Sequence, residues 1–276
     1  MTAEPLVLYS TEGPIACLTL NRPGKLNAVS KGMITELNAA LDRAEADEKV
    51  RVILLEGAGR AFSAGFDLDM GVGDELENAS PEQLQAIMRR ELRNDFDIIM
   101  RFWDSPRVTI AAVHGYCLGS AMEIALACDM SIASEDCRFG APEVQFGSGI
   151  VALLLPWFCG PKRAKELLLT GTDKVTARQA ESWGLVNRVV EADILQAAAR
   201  QLALSVAQND QLAVRLTKQA INRAYDTAGM RQALLDALEL DVEIESTETP
   251  ESKSFNEIME RDGIRAAIDW RKSQFG

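Results

Sequence analysis

One histidine, His114, occurs among 276 residues. That excludes a His-rich metal site. Proton transfer is left mainly to carboxylates, Lys, Tyr or Cys. The five cysteines, Cys17, Cys117, Cys128, Cys137 and Cys159, are odd in number and contain no Cys-x-x-Cys pair. This speaks against a disulfide framework or a structural zinc, and for reduced core thiols. No apolar run is long enough to cross a bilayer. Residues 1–8 have no basic stretch, no signal-type apolar run and no Arg enrichment, so a cytoplasmic place is expected. Basic residues are in deficit, 29 Lys and Arg against 41 Asp and Glu, for a net charge of −12. A chain so acidic is a poor binder of nucleic acid or anionic membranes. An anionic small ligand would need local cations or backbone donors. Gly57-Ala58-Gly59-Arg60-Ala61-Phe62 lacks the third glycine of a dinucleotide fingerprint, and no GK[ST] phosphate loop occurs.

What is present is an alternation of strands and helices. Residues 15–20, 50–56, 108–113, 130–133, 138–141 and 186–190 read as strands. Ser30 caps a helix with an apolar face of Met33, Leu37, Ala40, Leu41 and Ala44. Ser80-Pro81-Glu82 opens a long helix to about residue 104. Pro161 opens another, and Thr176 caps a short one that stops at Gly184. The order predicts an α/β core with mostly parallel strands. From residue 192 on, the pattern is helical, with a break at Pro250.

Two glycine-containing loops follow strands. They are Ala61-Phe62-Ser63-Ala64-Gly65-Phe66-Asp67 and His114-Gly115-Tyr116-Cys117-Leu118-Gly119-Ser120-Ala121-Met122-Glu123. Glycine lets the backbone approach a ligand and present N–H donors. Two such loops on neighbouring strands could aim one N–H each at a single oxygen, the geometry an oxyanion needs. Glu123 lies among residues apolar on every side of its helix. Such a carboxylate is either functional or part of a structural ion pair. Glu143, after Ala141-Pro142, is either its partner in acid–base work or a solvated loop residue. Ser63 with His114 and Asp95 would imitate a hydrolase triad, but in the wrong chain order for that fold.

Together these segments resemble the enoyl-CoA hydratase/isomerase (crotonase) family. The resemblance runs through Asn21-Arg22-Pro23-Gly24-Lys25-Leu26-Asn27-Ala28, the two loops, Phe139-Gly140-Ala141-Pro142-Glu143, Leu169-Thr170-Gly171 and Trp183-Gly184-Leu185-Val186. It implies a spiral of ββα units, with an acyl-CoA-binding catalytic core over residues 1–195. A C-terminal helical region over 196–276 would serve trimerisation, and the assembly would be a homotrimer or homohexamer. The implied activity is an enoyl-CoA hydratase, with Glu123 and Glu143 catalytic and the N–H groups of Phe66 and Ser120 as the oxyanion hole. Lys25, Ala28, Ala61, Ala64, Gly65, Asp67, Leu68 and Gly119 would contact the acyl-CoA thioester. No cofactor or metal is implied, since coenzyme A is part of the substrate. An isomerase, or an acyl-CoA hydrolase or lyase of the same fold, is the alternative. A non-catalytic acyl-CoA or RNA binder is the alternative of another class. Three positions depart from the family pattern. Ser120 replaces a glycine, tolerable at negative φ. Phe66 stands where many hydratases have alanine, so its ring would reshape the acyl pocket. Asp69 stands where relatives put a cation near CoA, which leaves Lys25 and a C-terminal basic residue such as Arg271 or Lys272 for the phosphates.

Overall fold

Side chains that alternate along parallel strands give a sheet with two buried faces. The computed structural model describes residues 4–68 and 79–274; Asp69 lies outside them. The main sheet has the order β1 (Val7–Glu12), β2 (Ile15–Leu20), β3 (Val52–Gly57), β4 (Val108–Val113), β6 (Met130–Ser134) and β9 (Arg188–Val190). β1 is antiparallel to β2, and the other neighbouring pairs are parallel. Ile15, Val52 and Val108 share one register row. The alternation therefore sorts Leu18, Ile53, Leu55 and Val113 to one face and Cys17, Leu54, Ile110 and Ile132 to the other.

Helices α1 (Lys31–Ala46), α2 (Pro81–Asp104) and α3 (Ser120–Ala127) lie on the first face. Ser30 caps α1 by accepting from Met33 N, and the five expected apolar residues are buried. Ser80 and Gln83 form a reciprocal capping box ahead of α2.

The second face is covered by α7 (Leu195–Ala207). Its Leu195, Ala199, Ala203 and Ala207 recur every fourth residue and pack on the strands. The region after residue 195 is therefore not one unit. α7 completes the core, and the appended helices begin with α8 (Gln211–Thr227). α9 (Met230–Ser246) packs along α2, and α10 (Pro250–Asp262) packs on α11 (Ile264–Ser273).

A small sheet, not expected as such, stands beside the main one. β5 (Tyr116–Leu118) runs parallel to β7 (Arg138–Gly140), which is antiparallel to β8 (Val175–Thr176). α4 (Glu143–Phe146), α5 (Leu155–Thr170) and α6 (Ala177–Trp183) complete the order. α5 starts six residues before the expected Pro161. It breaks at Gly160 (φ 77°, ψ 167°), and Pro161 opens its second segment, where no N–H is needed. Among the described residues no helix is long and apolar enough to cross a membrane.

Candidate active site

β3 and β4 are parallel neighbours, so the loops that follow them leave the same edge of the sheet. They are laced together. Phe62 N donates to His114 O (2.8 Å), Ser63 N to Tyr116 O (3.0 Å) and Leu118 N to Ser63 O (3.2 Å). Phe66 pairs with Val29 in a parallel bridge. That bridge uses Val29 N on Gly65 O and Asp67 N on Val29 O, both at 2.9–3.0 Å. The Phe66 N–H takes no part in it. Ser120 opens α3 after Gly119, so its N–H has no acceptor within the helix.

Gly65 (φ 96°) sits against this end of α3. A Cβ there would lie 2.9 Å from Leu118 O and 3.4 Å from Ser120 N. Glycine at 65 thus supplies both the positive φ and the close approach of the two loops. Ser120 itself has no positive φ. Its buried hydroxyl has no hydrogen-bond partner among the described residues.

Every residue of α3 is buried, Glu123 included. Glu123 accepts a hydrogen bond from Ala152 N at 3.1 Å. No structural ion pair forms there among the described residues. Burial and the facing Glu143 push its carboxyl well above the usual range, and the Ala152 N–H opposes this.

Glu143 arrives from the small sheet. β5 and β7 pair Leu118 with Gly140, so Gly119 and Ala141-Pro142-Glu143 leave side by side. A Cβ on Gly119 (φ 56°) would fall 2.1 Å from Glu143 Oε1. Burial pushes the Glu143 carboxyl up to about 7, partly offset by its own backbone N–H. Its Oε2 has no partner among the described residues. Two carboxyls are thus buried together beside the paired loops. A small cavity of about 10 Å³ lies against Glu123 and Gly119, walled by Met122, Leu126, Ile150 and Ala152. That is room for about one water.

The remaining candidate residues are spread around these groups. Ala64 is half-buried in the first loop, and its N–H donates to Leu26 O (3.0 Å). Phe66 is partly buried and packs against the core. Lys25 is exposed on the turn Pro23–Lys25, and Leu68 is exposed. The Ala28 carbonyl accepts from Arg22 at 3.2 Å. Asp67 is ion-paired with Arg22, so its carboxylate anchors the loop. Ala61 is fully buried, with its carbonyl held by Asn27.

Asn27 and Arg22 were not singled out from sequence. Asn27 is buried at φ 54°. Its amide donates to the carbonyls of Ala58 (2.8 Å), Ala61 (2.8 Å) and Phe62 (3.1 Å), and its Oδ1 accepts from Arg22 N (2.8 Å). Asparagine is enriched at positive φ, the one signal that could have marked it. The hydrolase triad fails. Ser63 Oγ donates to Asn27 O (2.8 Å), and His114 Nε2 is bonded to Gly59 O (2.9 Å).

The family model described as enoyl-CoA hydratase/isomerase matches residues 10–265. The chain belongs to the enoyl-CoA hydratase/isomerase family. A crystal structure of a family member from Xanthobacter autotrophicus Py2 is 49% identical, with a TM-score of 0.90 and 98% of each chain covered. The short-chain-enoyl-CoA hydratase of Clostridium acetobutylicum is 32% identical, covering 96% of this chain and 95% of its own. The mevalonyl-coenzyme A hydratase sidH of Aspergillus fumigatus is 33% identical, over 95% of this chain and 91% of its own. Solved members of the enoyl-CoA hydratase/isomerase family share the fold described above.

Proposed function

We propose that the protein is an enoyl-CoA hydratase, adding water across the 2,3 double bond of a 2-enoyl-CoA thioester. The observation that carries this is the convergence of two buried carboxyls beside two backbone N–H groups with no backbone acceptor of their own. The N–H groups of Phe66 and Ser120 hold the thioester oxygen as enolate charge develops. Each such donor is worth about 2.7–4 kcal/mol in reactions of this type. Water lies between Glu123 and Glu143. Glu123 takes a proton from the water, and the hydroxyl oxygen bonds to C3. Glu143 delivers its proton to C2. The net change is one water added, and the proton on Glu123 returns to Glu143 within the pair. Burial raises both carboxyls, so the pair shares one proton: the Ala152 N–H biases the charge towards Glu123, and the unpartnered oxygen of Glu143 leaves it the neutral acid. The pair titrates as a unit.

An isomerase would need one acid–base group, and a binder would need neither. Two carboxyls, costly to bury, favour hydration. In the same reading the substrate is the CoA thioester itself, with no cofactor, and Lys25 is a cation available to its phosphates. A homotrimer or homohexamer completes the proposal. α8 buries none of its residues and exposes Leu212, Leu216 and Ile221, an apolar surface suited to another copy. The test is turnover of crotonyl-CoA, followed by loss of the conjugated thioester absorbance. Turnover by the wild-type protein, lost in Glu143→Gln, supports hydration. Double-bond migration surviving Glu143→Gln would favour the isomerase. No chemistry with enoyl thioesters of several lengths would leave the binder.

A further inference from the structure

Glu143 stands on the weakest element of the site. α4 has four residues, none wholly buried; only the carboxyl end of Glu143 is shielded from water. One turn of helix cannot hold itself in water. It is held from outside, by residues that come between 26 and 127 positions later. Arg271 on α11 donates from Nη1 to the carbonyls of Gln145 (2.8 Å) and Val144 (3.3 Å). The Gln145 carbonyl is one that a single turn leaves without a helical donor, while the Val144 carbonyl also accepts from Gly147 N at 3.4 Å. The guanidinium is itself fixed, 4.4 Å above the ring of the fully buried Phe255. Beyond α4, the Ser148 hydroxyl donates to Glu245 on α9 at 2.5 Å. On the other side, the Gln145 amide bonds the Gly171 carbonyl.

We propose that Arg271 is a positioning residue for hydration, gripping α4 by the Val144 and Gln145 carbonyls and so fixing the Glu143 carboxyl against Gly119 and opposite Glu123. Its catalytic consequence rests on the hydratase reading, while the grip itself does not. The assignment turns this cation away from the CoA phosphates, the other role open to a C-terminal arginine. Arginine suits it, because one planar group can bond carbonyls at its edge and stack on an aromatic ring with its face. Lysine could bond a carbonyl but not stack in the same way.

The test uses the full chain with Arg271→Gln and Arg271→Lys. Amide exchange reads the grip directly at Gly147 and Ser148, whose N–H groups bond the Val144 and Glu143 carbonyls. Kinetics are measured with one enoyl group on CoA and on a truncated thiol that lacks the phosphates. In Arg271→Gln, exchange at these amides accelerates and kcat falls roughly 10- to 100-fold on both thioesters, the scale of a misplacement of an ångström. KM stays unchanged, and Arg271→Lys restores part of kcat. Unchanged exchange overturns the proposal. So does a rise in KM confined to the CoA thioester, which would return Arg271 to the phosphates. If the wild-type protein turns over neither thioester, the hydratase reading fails, and exchange alone still decides the grip. If Arg271→Gln loses its cooperative thermal transition, the Lys variant carries the same comparison.

Discussion

Glu123 and Glu143 face each other, but they are held by opposite means. Glu123 rides on α3, whose eight residues are all buried. Glu143 rides on α4, where none is wholly buried. The first carboxyl is fixed by apolar packing in the centre of the core. The second is fixed by polar contacts from Arg271, Ser148 and Gln145. One side of the site is therefore built into the fold, and the other is attached to it. Stability should be sensitive to substitutions on the α3 side, and function should be sensitive on both.

The largest effects test the shared function. Glu123→Gln and Glu143→Gln should each lower kcat by roughly 10²–10⁴-fold, the usual contribution of a positioned acid or base. The double variant should be no slower than the slower single one, because the groups act as a unit. Multiplicative losses in steady-state kinetics would separate the two glutamates and break the pairing. The next effect separates the supports. Ile124→Ala on α3, where Ile124 is 1% exposed, should cost about 2–5 kcal/mol in denaturant unfolding. Val144→Ala on α4, where Val144 is 36% exposed, should stay within about 0.5 kcal/mol. Equal losses would show that α4 is as much a part of the core as α3.

The same contrast explains what the sequence could tell. α3 was legible because its apolar residues continue on all sides of Glu123, so burial followed directly. The caps of α1, α2 and α6 were legible because Ser30, Ser80 and Thr176 are local signals. α4 was not. Four residues after a proline carry no periodicity, and what holds them lies at Arg271. β5 and β8, of three and two residues, are too short for alternation to show. Yet β5 paired with β7 is what brings Glu143 to Gly119. Asn27 was overlooked for a related reason. Its three carbonyl partners, Ala58, Ala61 and Phe62, lie more than thirty positions away. The family resemblance supplied the pairing of Glu123 with Glu143, which local signals left open.

A smaller effect concerns pH. The Glu143 carboxyl, raised to about 7 by burial, must hold a proton to deliver it to C2. Activity needs the pair to hold a single proton, so it should fall as pH rises through about 7, roughly tenfold per unit beyond it, and fall again in acid once Glu123 is protonated as well. This limb should vanish from the residual rate of Glu143→Gln. A kcat profile flat from pH 6 to 9 in the wild-type enzyme would show that Glu143 is not the acid.

The smallest effect lies behind the attached side of the site. Asp241 on α9 is 3% exposed, and its carboxyl has no well-formed hydrogen bond among the described residues, although the Gly149 N–H lies near it. It packs against Gly149, where a Cβ would lie 2.0 Å from Oδ1. Burial pushes its carboxyl up to about 7, and Glu245, Glu143 and Asp95 add to the rise, while the Gly149 N–H opposes it. An unfolded aspartate titrates near 4, so between roughly pH 4 and 7 the folded state binds the extra proton. Stability then falls as pH rises through this window, and the loss is complete above about 7. Asp241→Asn removes the ionisation and so should remove the loss. Its thermal midpoint should exceed that of the wild-type protein at pH 8, and the difference should shrink towards pH 5. A lower midpoint for the variant at pH 8 would mean that the charged carboxylate is stabilised in the fold. The ground beneath α4 would then be an ion-binding contact, as firmly tied as the core beneath α3.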